Sequence, residues 1–304
     1  MLVFILFITF FFSSGFSFLN PIELSNENKK IIIYITDLNL YPTPLTKPII
    51  KNLSEKKNGL LIYESQTIFQ EIIRFINQKY NYNLVIFGGN NIADVSVAEK
   101  ENLWNLFLDM VSEIKSDYFT AYGKNDLKNK NNKYRWQYLI DDVLLIGLDD
   151  SLFFDSNELA ISAELNWLKN LLLKNKNKNT IIFSHKFITN SKFLNVIKEN
   201  PQIKILFSGN ELLNKINREE GLLFVSSASP TAFPCNFKVI EISNEKIEIK
   251  TINVPLKGII KKAEESLITS DIAKELFPAN LKQIKPYVTG AYEDLNCVID
   301  LKNR

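Results

Sequence analysis

Polar side chains that could bind a metal ion follow several predicted strands of this 304-residue chain. Carboxylates and amides supply hard oxygen ligands, and an imidazole supplies a nitrogen ligand. The candidate metal ligands are Asp37, His185, Asn39, Asn90 and Glu211. Lys124, Asn125 and Asp126 form one further polar group at a strand end. Because His185 is the only histidine in the chain, any function that needs several histidine ligands is excluded.

The elements that must position these side chains are buried strands alternating with amphipathic helices. Short apolar runs rich in β-branched residues predict strands at Ile31–Thr36, Leu84–Phe87, Tyr118–Tyr122, Thr180–Phe183 and Ile203–Phe207. Segments 65–80 and 158–173 repeat apolar residues with a helical period. This alternation predicts an α/β fold, in which sites form beyond the carboxyl ends of the strands.

Weaker patterns predict the remaining elements. Segments 134–140 and 143–148 read as a hairpin with the two-residue turn Asp141-Asp142. Leu60–Tyr63 is predicted to be a short strand, and residues 261–277 a helix. Three more strands are predicted at 222–225, 237–242 and 247–252. The alternating lysine–asparagine tract at 174–179 is predicted to be a solvated loop.

The succession of strand-end loops resembles the five motifs of the calcineurin-like metallophosphoesterases, which are D-x-H, G-D, G-N-H-D/E, a lone histidine and G-H-x-H. The matching loops are Thr36-Asp37-Leu38-Asn39, Gly88-Gly89-Asn90, Gly123-Lys124-Asn125-Asp126, Ser184-His185 and Gly209-Asn210-Glu211-Leu212. The resemblance implies a two-sheet β-sandwich flanked by helices, with four layers in the order α/β/β/α. It also implies two metal ions at one edge, which bind a phosphate ester and activate a water.

Most of the ligands that the resemblance implies are replaced. Asp37 matches the first aspartate and His185 the lone histidine, but Gly89 stands where an aspartate would bridge the two metals. The other replacements are Asn39, Asn210 and Leu212 for histidines, Lys124 for the metal-binding asparagine and Asn125 for the histidine that assists the leaving group. Glycine supplies no oxygen, and an ammonium repels a cation. We therefore expect no cofactor, with the Lys124 ammonium filling the space and charge of a lost metal.

Two functions stay open at this point. The first is an exported, catalytically inactive protein that retains the phosphoesterase scaffold for binding, with an envelope protein or a phosphorylated ligand as partner. The alternative is a divergent phosphoester hydrolase that uses one Mg²⁺ or Mn²⁺ ion, with His185 assisting. Its oxygen ligands would be Asp37, Asn39, Asn90, Asp126 and Glu211. The alternative requires these oxygens to converge on one point.

The N-terminal residues predict export. Residues 1–20 carry no charged side chain, and Gly15-Phe16-Ser17 fits the small-x-small pattern that precedes a cleavage point. Residues 1–17 are therefore predicted to be a signal peptide, or residues 1–19 a retained membrane anchor, which places the protein in the periplasm or another extracytoplasmic location. The formal net charge of +2 gives no support for nucleic-acid binding.

Two domain boundaries are predicted beyond this segment. Residues 28–252 are expected to form the metallophosphoesterase-like domain, and residues 253–304 a C-terminal appendage. Cys235 and Cys297 either form one disulfide or stay free thiols, since the sequence alone does not decide between these states.

Overall fold

The computed structural model describes residues 29–42, 56–128, 134–154 and 157–301 of the chain. The predicted signal peptide or anchor lies outside these residues. Within the described ranges, no helix is both long enough and apolar enough to cross a membrane.

Two mixed β-sheets form the centre of the fold. Their strands are β1 (Lys30–Ile35), β2 (Leu84–Phe87), β3 (Asp117–Thr120), β4 (Trp136–Ile140), β5 (Val143–Gly147), β6 (Asn179–Phe183), β7 (Ile203–Ser208), β8 (Lys215–Glu219), β9 (Leu222–Ser226), β10 (Asn236–Ile242), β11 (Lys246–Asn253) and β12 (Cys297–Asp300). The first sheet has the order β12-β11-β10-β1-β2-β3, and the second has the order β4-β5-β6-β7-β9-β8. Strands β1, β2 and β3 are parallel, as are β5, β6, β7 and β9.

Helices pack against both sheets, most of them on the outer faces. They are α1 (Ser65–Lys79), α2 (Val97–Val111), α3 (Ser151–Phe154), α4 (Glu158–Lys174), α5 (Ser191–Lys198), α6 (Ile259–Thr269), α7 (Asp271–Leu276), α8 (Ile284–Thr289) and α9 (Tyr292–Leu295). Short 3₁₀ helices occupy Ile62–Glu64 and Leu281–Gln283.

The alternation of side chains along β1 shows how the layers are held together. Ile31, Ile33 and Ile35 pack in the core shared with α1, α2 and α6, whereas Ile32 and Tyr34 pack between the two sheets. A third core lies between the second sheet and helices α4 and α5. Because successive side chains of a strand point to opposite faces, one apolar strand serves two cores. The predicted four-layer α/β/β/α sandwich is thereby confirmed.

Some elements differ from their predictions. Leu60–Tyr63 does not form a strand, because Ile62–Glu64 is a 3₁₀ helix that leads into α1. The helix predicted at 261–277 is interrupted at Ser270, whose side chain caps α7 by accepting a hydrogen bond from the Ala273 N–H. The hairpin of β4 and β5 is present, and Asp141 in its turn has a φ of 51°.

The C-terminal segment from residue 253 joins the main fold through both sheet and core. Strand β12 pairs with β11 and extends the first sheet, while Ala263, Leu267 and Ile284 are buried in the core of that sheet. Strands β8 and β12 had no counterpart among the predicted elements, since each is a short edge strand with few buried side chains.

The loops that follow the parallel strands of both sheets meet at one edge of the sandwich. His185, after β6, reaches the Gly88 carbonyl after β2, with 2.8 Å between Nδ1 and the oxygen. The Asn210 N–H, after β7, lies 2.7 Å from Oδ2 of Asp37 after β1. The fold therefore brings the five motif loops into one region, as expected at the carboxyl ends of the strands.

Candidate functional site

Asp37 occupies the centre of this region and is fully enclosed, with 1% of its surface exposed. Its Oδ2 accepts hydrogen bonds from the Asn210 N–H at 2.7 Å and the Thr36 hydroxyl at 2.8 Å. Its Oδ1 accepts one from the Asn90 side-chain amide at 3.1 Å. Groups from three loops therefore occupy the carboxylate that would otherwise bind a metal.

The backbone of Asp37 is held as firmly as its side chain. Its carbonyl accepts hydrogen bonds from the Asn39 amide at 2.8 Å, the Ser229 hydroxyl at 2.7 Å and the Thr231 hydroxyl at 3.2 Å. The Asn39 side chain thus turns back onto its own loop. Sequence reasoning missed Ser229 and Thr231, and the only signal for them was the run of small polar residues after β9.

Three of the asparagines in these loops adopt a left-handed backbone. The φ angles are 47° at Asn39, 50° at Asn90 and 63° at Asn210. Asparagine tolerates this conformation better than most residues, because its short polar side chain bonds locally. The candidate ligands Asn39 and Asn90 therefore have a clear role in shaping the loops.

The imidazole of His185 is buried, and its two nitrogens have different environments. Nδ1 donates a hydrogen bond to the Gly88 carbonyl, because a carbonyl oxygen can only accept. In the neutral ring Nε2 then carries the lone pair. Nε2 has no hydrogen-bond partner among the described residues, and it lies 3.8 Å from Oδ1 of Asp37. Nε2 of His185 therefore faces Asp37 with a lone pair that no hydrogen bond from the described residues uses.

The position of the missing bridging carboxylate is physically closed. Gly89 has a φ of 92°, and a Cβ placed on it would lie 2.7 Å from the Ala121 carbonyl oxygen, 2.7 Å from the Gly123 nitrogen and 2.8 Å from Cγ of His185. Two of these atoms belong to backbone, which cannot move aside as a flexible side chain can. No side chain fits at this position while the loops keep this arrangement.

The carboxylate of Asp126 connects the third motif loop to the second through hydrogen bonds. Its Oδ1 accepts from the Asn91 N–H at 2.7 Å and the Ile92 N–H at 3.4 Å, and its Oδ2 accepts from the Gly123 N–H at 2.8 Å and the Asn91 amide at 3.2 Å. Burial raises the pKa of Asp126 to about 6, against the lowering effect of these donors and of His185. Its role is to organise the loops.

Asn125 lies beside this carboxylate and is also buried. Its N–H donates to Oδ1 of Asn90 at 3.2 Å, and its own side-chain oxygen has no hydrogen-bond partner in the described part of the chain.

Asp150 accepts a hydrogen bond from the Lys186 N–H, and burial raises the pKa of Asp150 above its ordinary value. Asp150 thereby joins the polar surroundings of His185, which lowers the pKa of Asp150 against the effect of burial.

Lys124 and Glu211 do not contribute their charges to the buried cluster. Both residues are exposed. The backbone carbonyl oxygen of Lys124 accepts a hydrogen bond from Nζ of Lys100 at 3.1 Å. The prediction that the Lys124 ammonium fills a vacated metal position is wrong, because at the surface water solvates the ammonium instead.

The five oxygen ligands required for a single hard cation do not converge. Asp126 accepts hydrogen bonds from four donors in the second and third motif loops, and Glu211 is exposed. Within the described ranges, no group of three or more His, Cys, Asp or Glu side chains could hold a metal ion. The residues present do not fit a two-metal centre, because the bridging position at Gly89 is closed.

Comparison with known proteins identifies the fold. No family model matches the chain, and no curated protein is significantly similar to it. Among solved structures, a dimetal phosphatase from Danio rerio aligns with a TM-score of 0.58 at 10% identity, covering 74% of this chain and 96% of that one. GAP50, the anchor in the inner membrane complex of Plasmodium, aligns with a TM-score of 0.50 at 14% identity, covering 77% and 87%.

A purple acid phosphatase from yellow lupin seeds has the same arrangement, with a TM-score of 0.50 at 8% identity. The alignment covers 75% of this chain and about half, 52%, of the lupin enzyme. The chain therefore has the fold of the calcineurin-like metallophosphoesterases, which confirms the resemblance predicted from its motif loops. At these identities the likeness shows the fold alone.

Proposed function

We propose that this protein uses the metallophosphoesterase scaffold for binding and does not hydrolyse phosphoesters. The observation that carries the proposal is the closed space at Gly89, where the Gly123 backbone and the His185 ring occupy the volume that a bridging carboxylate needs. Two cations held close together need a shared anionic ligand to offset their repulsion. This site supplies none.

The bonding of Asp37 supports the same proposal. Three donors from the chain itself bind its carboxylate, so the enclosed charge is stabilised without a cation. One neighbour with this fold is described as the anchor in the inner membrane complex of Plasmodium. By analogy, we infer that the present chain holds a partner, either an envelope protein or a phosphorylated ligand.

Metal content and turnover, measured together on the full chain, test the proposal. We expect no stoichiometric metal by elemental analysis, and no hydrolysis of a generic phosphoester with Mg²⁺, Mn²⁺ or Zn²⁺ beyond that of His185→Ala. The matched variant Asp37→Ala controls for contaminating phosphatase. Turnover that disappears in both variants, with about one metal per chain in the wild type, would overturn the proposal.

A single-ion phosphoester hydrolase is the second candidate function. It is favoured by one observation, the unpartnered Nε2 of His185, 3.8 Å from Oδ1 of Asp37. One carboxylate and one imidazole could hold a single Mg²⁺ or Mn²⁺ ion whose remaining ligands are water. This candidate predicts activity that chelation abolishes and that added Mg²⁺ or Mn²⁺ restores.

Export is part of the proposal and rests on the sequence of residues 1–19, which are mostly apolar and carry no charged side chain. We infer a periplasmic or other extracytoplasmic location, with residues 1–17 cleaved as a signal or residues 1–19 retained as an anchor. N-terminal sequencing of the protein purified from cells distinguishes these two states.

A further inference from the structure

Strand β4 is an edge strand without the charged residues that usually prevent an edge from pairing with another chain. The two sheets end in the edge strands β12, β3, β4 and β8. Strands β3, β8 and β12 each contain at least one charged residue, whereas β4 has the sequence Trp-Gln-Tyr-Leu-Ile. Leu139 of β4 is 51% exposed. An uncharged, apolar edge strand of this kind is a template for a further strand.

The backbone groups that β4 leaves open belong to Gln137 and Leu139. Ile140 and Val143 flank the two-residue turn between β4 and β5, so they form a hydrogen-bonded pair, as does every second pair of the hairpin. The N–H and C=O groups of Gln137 and Leu139 therefore point away from β5. Neither residue forms a further hydrogen bond with the described part of the chain.

Side chains occupy part of the open edge of the other three edge strands. The Ile216 N–H of β8 donates to a carboxylate of α9 at 2.8 Å. The Thr120 carbonyl of β3 accepts from the indole of Trp136 at 3.0 Å, and the Val298 carbonyl of β12 accepts from the Cys297 thiol at 3.8 Å. Among the edge strands that the structure describes, β4 is thus the one whose outward backbone groups are all open.

The strand that fits this edge best is a second β4. When two copies pair antiparallel about a two-fold axis at Tyr138, Gln137 of each copy lies opposite Leu139 of the other. All the outward groups of both strands then bind each other, giving about four hydrogen bonds between the copies. The same register sets Arg135 of one copy opposite Asp141 of the other.

The charges at the ends of β4 are compatible with this register. Arg135 donates to Glu164 at 2.6 Å, and its guanidinium forms no other hydrogen bond with the described residues. Asp141 has one ion pair, with Lys30 at 4.0 Å, and its side chain stays 43% exposed. Asp142 already pairs with a lysine. Each end of the paired strands therefore gathers Arg135, Glu164, Asp141 and Lys30, which balance in charge, and Arg135 gains a second carboxylate.

We propose that β4 is a self-association surface through which two copies of this chain join their second sheets into one continuous sheet. The pairing covers Leu139 and the partly buried Trp136 and Tyr138 at the margin of the core between the sheets. Because the two β4 strands run in opposite directions, the candidate-site loops of the two copies lie at opposite ends of the pair. The inference is independent of the proposed function, since β4 contributes none of the motif residues.

Disulfide trapping in the full chain reads the register directly. In a Cys297→Ser background, one preparation carries Gln137→Cys and another carries Leu139→Cys, both at exposed positions. Opposed residues of antiparallel strands have Cα atoms roughly 5.5 Å apart, within disulfide range, whereas each of these residues lies roughly 8 Å from its own copy. Cys235 is buried and burial raises its pKa to about 12, so it stays unreactive.

We expect the oxidant diamide to link the two variants when they are mixed, and to leave each variant alone largely monomeric on a non-reducing gel. No linked dimer in the mixture would overturn the proposal. Equal yields in the mixture and in the single-variant samples would overturn the register, and links from Gln137→Cys only to a different protein would show another occupant of the edge.

A proline at the outward position tests the hydrogen bonds themselves. Leu139→Pro removes an N–H that the hairpin does not use, and proline is tolerated where an edge N–H faces solvent. The change removes about two of the hydrogen bonds between the copies, so sedimentation equilibrium should show a dimer weakened roughly 30-fold. Val298→Pro makes the matched change at an exposed outward position of β12 and should leave association unchanged. With urea unfolding confirming that both variants fold, equal association of the two would contradict the proposal.

Discussion

Replacing Gly89 with alanine tests whether the position that matches the bridging aspartate is closed. The substitution forces a side chain into a left-handed backbone with φ of 92° and sets its Cβ against two backbone atoms and the His185 ring. The backbone conformation costs about 1–3 kcal/mol, and the overpacking about 1–3 kcal/mol more. We therefore expect Gly89→Ala to lower the free energy of unfolding by about 2–6 kcal/mol.

Gly221 offers a matched control for the conformational part of this loss. Its φ is 85°, close to that of Gly89, but a Cβ built on it meets nothing within 4 Å. Gly221→Ala should therefore cost only about 1–3 kcal/mol. The difference between the losses in unfolding free energy of the two variants measures the cost of placing a Cβ against the atoms that fill the bridging position.

Urea unfolding followed by tryptophan fluorescence measures both variants. Equal losses in Gly89→Ala and Gly221→Ala would refute the reasoning, because they would show that the loops leave room for a side chain. The variant Gly89→Asp tests whether a carboxylate at this position allows the protein to bind a metal ion. It should be at least as unstable as Gly89→Ala and acquire no metal, whereas stoichiometric metal in Gly89→Asp would show that the loops open readily.

Two further predictions concern buried charges. Asp37→Ala leaves three donors without an acceptor, so it should destabilise the fold by roughly 3–5 kcal/mol, whereas the exposed Asp117→Ala should change stability by no more than about 0.5 kcal/mol. Similar urea midpoints for these two variants would contradict this prediction. Burial lowers the pKa of Lys238 from 10.5 to about 7, so the unfolded chain binds more protons between these values and stability should rise with pH across that window. Lys238→Met should abolish the rise and stabilise the fold at pH 7 by roughly 1–4 kcal/mol, and a pH dependence equal to that of the wild type would disprove the assignment.

The sandwich could be predicted because its central strands are continuous apolar runs that end in polar loops. Ile31–Thr36 and Leu84–Phe87 lie within one residue of β1 and β2, since a strand buried on both faces needs apolar side chains throughout. The edge strand β8 gave no such signal. Its sequence is mostly polar because one edge and much of its surface face water.

The candidate site was predictable in position but not in geometry. The motif order placed Asp37 and His185 at the same edge, and the structure sets Oδ1 and Nε2 of these residues 3.8 Å apart. The motif comparison showed which position of the chain Gly89 occupies but not how much space surrounds it. The contacts that leave no room for a side chain there could therefore not be predicted from the sequence. Lys124 shows the same limit, because loop backbone direction decides whether a long side chain points inward or to solvent.

The position of β1 within its sheet bears on the order in which the chain can fold. Strand β1 lies between β2 and β10, and Lys30 pairs with Ile242, more than two hundred residues later in the chain. The hydroxyls of Ser229 and Thr231 that hold the Asp37 loop come from the same late region. Such long-range pairing gives a high contact order, which slows folding. During synthesis or export, one edge of the first strand therefore stays unpaired until almost the whole domain has emerged, and a chaperone that covers that edge would protect it from aggregation.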